Sequence, residues 1–169
     1  AELNPYLLLK DGLTSGVTYR LAALNGQTLG QTNGAGLNTQ ITLDTNAAGH
    51  NWFVDPTPLD NTDDYLPTSN PNIWQAKAGS DAAGKMDMLS VLLHEYGHAL
   101  GLEHSADADD FMAATLQPGE RRLPSAQELT LMSQLVAQLK ASTALADGST
   151  PNTPSDPISP TGPGNPTLP

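Results

Sequence analysis

Three of the chain's four histidines, His94, His98 and His104, fall inside one run of eleven residues, and nothing else in the sequence restricts its folding more. The run reads His94-Glu95-Tyr96-Gly97-His98-Ala99-Leu100-Gly101-Leu102-Glu103-His104. Around and before it Leu89, Leu92, Leu93, Tyr96 and Leu100 recur at helical spacing, which predicts an amphipathic helix over Met86–Leu100. On that helix His94 and His98 lie about 40° apart around the axis and about 6 Å along it, so both rings can reach one ion. Gly101 stands where the helix should stop, because glycine takes a left-handed cap conformation without a Cβ penalty. The return that follows brings His104 back toward the other two.

Three neutral imidazoles suit zinc, and three protein ligands leave its fourth corner to water, as in a catalytic rather than a structural site. Zinc lowers the pKa of such a water from about 15.7 toward roughly 7. Glu95, directly after the first ligand, can take that proton without binding the metal and return it to a leaving amine. This is the chemistry of peptide hydrolysis. A non-catalytic zinc staple could use the same triad but would have no use for Glu95.

Composition narrows the alternatives. Eighteen acidic against 7 basic side chains give a formal charge of -11, which repels phosphate backbones and anionic lipid, so neither nucleic acid nor membrane is an expected partner. With no cysteine there is no disulfide, no thiolate nucleophile and no thiol latch. No stretch has the roughly 20 apolar residues that span a bilayer, and no basic-then-apolar signal opens the chain. It begins at Ala1, which raises the expectation of a processed product or a piece of a larger protein.

From Asp147 onward Pro151, Pro154, Pro157, Pro160, Pro163, Pro166 and Pro169 recur at every third position, the period of polyproline II. Residues 147–169 are therefore read as a proline-rich linker or tail, and 1–146 as the folded domain. Within the latter, Asn4, Pro5 and Gly12 bracket a helix of barely two turns. Val17 to Leu24 alternates like a strand and runs into an Asn25-Gly26 turn. Further strands are expected at Gln40–Asp44, Asn51–Asp55 and Ile73–Ala76. Pro56–Pro71, with Asp60, Asn61, Asp63 and Asp64, reads as an exposed acidic loop whose clustered oxygens are also compatible with Ca2+, though the spacing fits no EF-hand. A last helix, Ser125–Lys140, opens with the capping box Ser125-x-x-Glu128 and presents Leu129, Met132, Leu135, Val136 and Leu139 as core. Gly97 in mid-helix costs roughly 1 kcal/mol relative to alanine, so close approach of another backbone is expected there. His50 reads as a strand-end histidine rather than a ligand, and Glu103, Asp107, Asp109 and Asp110 as solvated carboxylates.

HExxHxxGxxH is the signature of the metzincin clan of zinc endopeptidases, and over Met86–Lys140 the chain resembles that clan. A methionine-containing turn follows downstream in those proteins, matched here by Met112 in Asp110-Phe111-Met112-Ala113-Ala114. Ser105 directly after His104, and the eight residues from His104 to Met112, resemble the matrixins (the matrix metalloproteinase family) in a bacterial-type catalytic domain. Astacins and serralysins carry a tyrosine two residues after the methionine, where this chain has Ala114.

The resemblance implies an α+β, metzincin-like fold: a small twisted mixed sheet, the active-site helix, and a short C-terminal subdomain of Met turn and C-terminal helix. It implies a zinc-dependent endopeptidase with His94, His98 and His104 on the metal, Glu95 as general base and acid, Met112 packed beneath the ion, and Ala113–Gln117 walling the pocket for the side chain after the cleaved bond. Gly49–Asp55 resembles the upper edge strand along which substrate lies extended. Matrixins also hold a structural zinc on three further histidines and an aspartate. Only His50 remains for such a site, so one zinc is expected. The family's long backing helix has no clear counterpart in Pro5–Asp11. The expectation is a monomeric, secreted, extracellular domain acting on polypeptide substrate, within a larger multidomain chain or alone. The alternative is a zinc-organised binding or self-processing module of a larger secreted protein.

Overall fold

The computed structural model describes residues 3–147, an α+β arrangement of three helices and three small sheets. The proline-rich segment expected from 147 lies outside the described residues except for Asp147, which ends the last helix one residue beyond the expected boundary. None of the described helices is long and apolar enough to cross a membrane.

Helix α1 spans Pro5–Thr14; the Asn4 side chain accepts from the N–H groups of Tyr6 and Leu7 at 2.9 and 3.3 Å, with proline in the first turn. The expected glycine stop is overturned, since the helix runs through Gly12 to a cap at Ser15. Gly12 serves packing instead: a Cβ there would lie 2.4 Å from the Tyr96 ring. The helix thus lies against the helix that carries His94 and His98 and also touches the last one, a backing element of ten residues.

A three-stranded sheet has the order β1-β3-β2, where β1 is Thr18–Ala22, β2 Gly30–Asn33 and β3 Gln40–Asp44. Strand β3 pairs parallel with β1 and antiparallel with β2, and Ile41, Thr42, Leu43 and Asp44 are all buried, as a central strand covered on both sides requires. Sequence patterning did not indicate β2, because Gly-Gln-Thr-Asn has neither apolar alternation nor β-branched weight. It is nevertheless the antiparallel edge beside the helix that carries His94 and His98. The role expected for Gly49–Asp55 is corrected accordingly: only Trp52–Phe53 (β4) is strand there, paired parallel with Met86–Asp87 (β7) in a separate sheet. The turn between β3 and β4 is held by Asp44, whose carboxylate accepts from the N–H groups of Leu24, Ala48 and Asn46 at 2.8, 2.9 and 3.2 Å and is kept below the usual carboxylate pKa by them.

A third sheet, β5-β6-β8, joins Tyr65–Pro67, Ile73–Ala76 and Glu120–Arg122 in antiparallel pairs. This corrects the reading of Pro56–Pro71 as wholly exposed loop, since Tyr65 is 1% exposed and packs with Phe53 and Ala82. The reason is Arg121, 0% exposed. Its Nη1 donates to Asp55 Oδ2 at 2.7 Å and Asn61 Oδ1 at 2.9 Å, while Nη2 and Nε donate to Asp87 at 2.8 and 3.1 Å. The guanidinium also lies 4.4 Å from the Tyr65 ring centroid, and the Tyr65 hydroxyl donates to Asp87 at 3.1 Å. The same acidic loop is further tied by Lys77 Nζ, which donates to the carbonyls of Thr62 and Asp63. Asp60 accepts from Thr62, and Asp63 from the Thr57 hydroxyl. Arg121 and Lys77 thus tie this loop at Asn61 and at the carbonyls of Thr62 and Asp63.

Helix α2 spans Met88–Ala99, shorter than the expected Met86–Leu100 because Met86–Asp87 form β7 and Asp87 caps the helix through Ser90 N–H at 3.1 Å. It stops as expected at Gly101, φ +93°, where Leu102 N–H bonds Gly97 O and Gly101 N–H bonds His98 O, the paired pattern of a left-handed C-cap. Helix α3 spans Ala126–Asp147, running seven residues past the expected end at Lys140, and its start is closed by the expected reciprocal box: Ser125 N–H to Glu128 Oε2 at 2.6 Å and Glu128 N–H to Ser125 Oγ at 3.3 Å. Leu129, Met132 and Val136 enter the main core fully, Leu135 and Leu139 only partly.

Arg121 is the one buried cation facing Asp55 and Asp87, and removing one member of a buried charged cluster leaves the rest uncompensated, at a cost of about 3 to 5 kcal/mol. Arg121→Met is therefore expected to lower the urea-unfolding free energy by about that amount, whereas Lys140→Met, which breaks the exposed pair with Asp11, should change it by less than about 1 kcal/mol.

Candidate metal centre

The three histidines meet. His94 Nε2 and His104 Nε2 each lie 3.1 Å from His98 Nε2, and the three ligand atoms form a group that could hold one metal ion. Each ring is delivered by a different piece of local structure. His94 comes from the middle of α2, His98 from its last turn, and His104 from the extended return after Gly101.

The other ring nitrogens fix the orientation. His94 Nδ1 lies 3.0 Å from Phe111 O, and His98 Nδ1 lies 2.8 Å from Leu102 O. A backbone carbonyl can only accept, so both protons sit on Nδ1 and both Nε2 lone pairs face inward. Facing lone pairs repel unless a cation lies between them. Three imidazole nitrogens at ordinary zinc distances in a tetrahedral site are about 3.3 Å apart, so the donor set and its spacing fit zinc. Burial also pushes the His94 pKa down to about 4, which keeps that ring a neutral ligand at physiological pH.

The turn 110–113 supplies one of those carbonyls. Met112 N–H bonds Asp110 Oδ1 at 2.7 Å, and Met112 O accepts from Ser105 N–H at 3.0 Å, which clips the turn to the strand-like segment after His104. Met112 is 3% exposed. A Cβ on Gly97 would lie 2.5 Å from Met112 Sδ and 3.4 Å from the Phe111 ring. The mid-helix glycine is thus explained by a side chain, not by the backbone approach expected from sequence.

Glu95 is 6% exposed and opens into the same cavity as His94 and His104. Burial raises its pKa, opposed by a hydrogen bond from the Thr32 hydroxyl to Oε2 at 2.6 Å and by His98 and His104. The cavity measures about 540 Å³ and runs from Gln27–Gly30 at the β2 edge, past the metal centre, to a wall of Ala113–Gln117. His50 also lines it but stands outside the triad, and Arg122 forms a buried part of the wall. Sequence reading did not single out Gly30, Thr32, Arg121 or Arg122. Their roles depend on a strand pairing that no local pattern announced. Glu103, Asp107 and Asp109 are exposed, and Asp110 is half-buried in the turn.

Residues 25–131, well over half of the chain, match the model of the Matrixin family. The chain belongs to the matrixins. No curated protein and no solved structure gives a significant match. As a matrixin it is a zinc metallopeptidase domain, and the matched span takes in β2, both parts of the metal centre and the first turns of α3. The family match reaches back well beyond Met86, where the sequence motifs begin.

Ligand imidazoles must be deprotonated, so zinc and protons compete. Metal analysis is expected to give one zinc per chain, with affinity falling as the medium is acidified and protons take the ligand nitrogens. In the chelator-treated protein the folded pKa of His94, about 4, lies below the ordinary histidine value of about 6.5, so the unfolded chain binds the extra proton between them. Stability should therefore be at its full value above about pH 6.5 and decline toward pH 4, and His94→Gln should flatten that decline in urea titrations.

Proposed function

We propose that this matrixin domain is an endopeptidase in which His94, His98 and His104 hold one catalytic zinc and Glu95 carries the proton between water and the departing amine. The observation that carries the reading is the meeting of three Nε2 atoms, at 3.1 Å contacts, beside the cavity that His94, His104 and Glu95 line. Zinc, when bound, would polarise a peptide carbonyl and acidify a water. The protein does the rest. Phe111 O and Leu102 O orient two of the rings, and Met112 against Gly97 sets the turn that holds Phe111 in place. Glu95 accepts the proton of the attacking water and gives it to the amine nitrogen as the C–N bond breaks. Ala113–Gln117 wall the pocket for the side chain beyond the cleaved bond.

An extended polypeptide is the substrate this cavity suits, because the β2 edge borders it and offers backbone groups to a chain laid alongside. The domain is read as ending with α3, the proline-rich segment after it acting as a spacer in an exported protein. Calcium is not part of this reading; in the acidic loop Arg121 bonds Asn61, and Lys77 bonds the carbonyls of Thr62 and Asp63.

The test is cleavage in trans of denatured protein or a quenched peptide library by zinc-loaded protein. Glu95→Ala should bind zinc normally and lose at least about a hundredfold in kcat, the usual scale of a general base. Tight zinc binding with no turnover by either form would instead support the binding-module alternative.

A further inference from the structure

We propose that Thr32 and Gly30, neighbours on one face of β2, position the two carboxylate oxygens of Glu95 for different tasks, Oε2 being anchored and Oε1 left to carry the proton. The inference rests on the reading of Glu95 as proton carrier.

Thr32 Oγ1 lies 2.6 Å from Glu95 Oε2 and 2.9 Å from the Glu95 carbonyl oxygen. A hydroxyl has one proton to give, and the shorter contact to the charged acceptor takes it. Oε1 accepts from none of the described side chains or N–H groups. It lies against Gly30, where a Cβ would come within 2.7 Å of Oε1, 2.8 Å of Cγ and 3.0 Å of Cδ. Those separations are too short for any side chain to coexist with the carboxylate in this position. The φ of Gly30 is not in the left-handed region, so the glycine provides room rather than an unusual backbone.

Gly30 and Thr32 are two residues apart and so share a face, and their partners across the sheet, Leu43 and Ile41, are 3% and 0% exposed. The cradle is therefore as rigid as the core behind it. A glutamate side chain has three rotatable bonds, and anchoring one oxygen fixes the carboxylate plane and aims the other. In the reaction a water O–H bond breaks and an Oε1–H bond forms as the water oxygen bonds to the carbonyl carbon, the C=O π pair moving onto the carbonyl oxygen. That pair then re-forms the C=O bond as the C–N bond breaks with its electron pair going to nitrogen, and the Oε1 proton passes to that nitrogen. Oε2 keeps its bond to Thr32 throughout, which makes Thr32 a positioning residue.

Thr32→Val keeps the shape and removes the hydroxyl. It is expected to lower kcat about tenfold or more, the scale of a lost hydrogen bond to a charged group, with KM and zinc affinity by chelator competition within about twofold of wild type. Thr32→Ser, which retains the hydroxyl, should recover at least about half of kcat. Gly30→Ala should lower kcat at least as far, and crystal structures of Thr32→Val and Gly30→Ala should show the Glu95 carboxylate displaced. The proposal is overturned if Thr32→Val matches wild-type kcat, if its loss appears in KM, zinc affinity or melting temperature instead, or if serine fails to rescue. Wild-type protein that binds zinc yet cleaves no peptide would overturn the peptidase reading itself, and this inference with it; cleavage by wild type and Thr32→Val alike would overturn this inference alone.

Discussion

The metal centre depends on keeping the Nε2 lone pairs of His94 and His98 pointed at the same spot as His104 Nε2. That arrangement is unfavourable by itself and needs support from outside the rings. Two backbone carbonyls, Phe111 O and Leu102 O, provide it by taking the Nδ1 protons. One belongs to the turn after the last ligand and the other to the cap that ends the helix, so the centre is fixed by main chain that cannot itself titrate. The helix must stop at Gly101 for Leu102 O to be available and for His104 to return. A residue with a Cβ there would meet the strain of φ +93°.

A second dependency runs through the β2 edge. It is the least hydrophobic strand of its sheet, yet it touches α2 more extensively than any other strand does and carries the two residues that meet the Glu95 side chain. The matrixin match begins at residue 25, so it includes β2 and leaves α1 and β1 before it. The metal centre and the strand edge beside it thus form one unit, with α1 and β1 backing it through Gly12 on Tyr96 and the parallel pairing to β3.

How legible this was in the sequence differs by element. The run from His94 to His104 carried the centre because helical geometry and one glycine convert spacing directly into proximity. The capping box at Ser125 and the strands Gln40–Asp44 and Ile73–Ala76 were equally readable, being set by local chemistry and β-branched or apolar content. Gly12 and Gly97 were misread for one reason. Both look like local interruptions of a helix, yet each is there to admit a side chain from another element, Tyr96 or Met112. Strands β2, β5 and β8 are only three or four residues long, β2 and β8 are polar and β5 ends in proline, so none carries a strand pattern of its own and each forms because neighbours pair with it. Arg121 gave no local sign at all, since its partners Asp55, Asn61 and Asp87 lie 34 to 66 residues away.

That guanidinium has a wider consequence. Loops dense in carboxylates are commonly knitted by divalent ions drawn from the surroundings, which makes their shape hostage to supply. Here the positive charge is covalently attached and cannot diffuse away. A chelator that strips divalent ions from the medium therefore leaves the bonds from Arg121 to Asp55, Asn61 and Asp87 untouched.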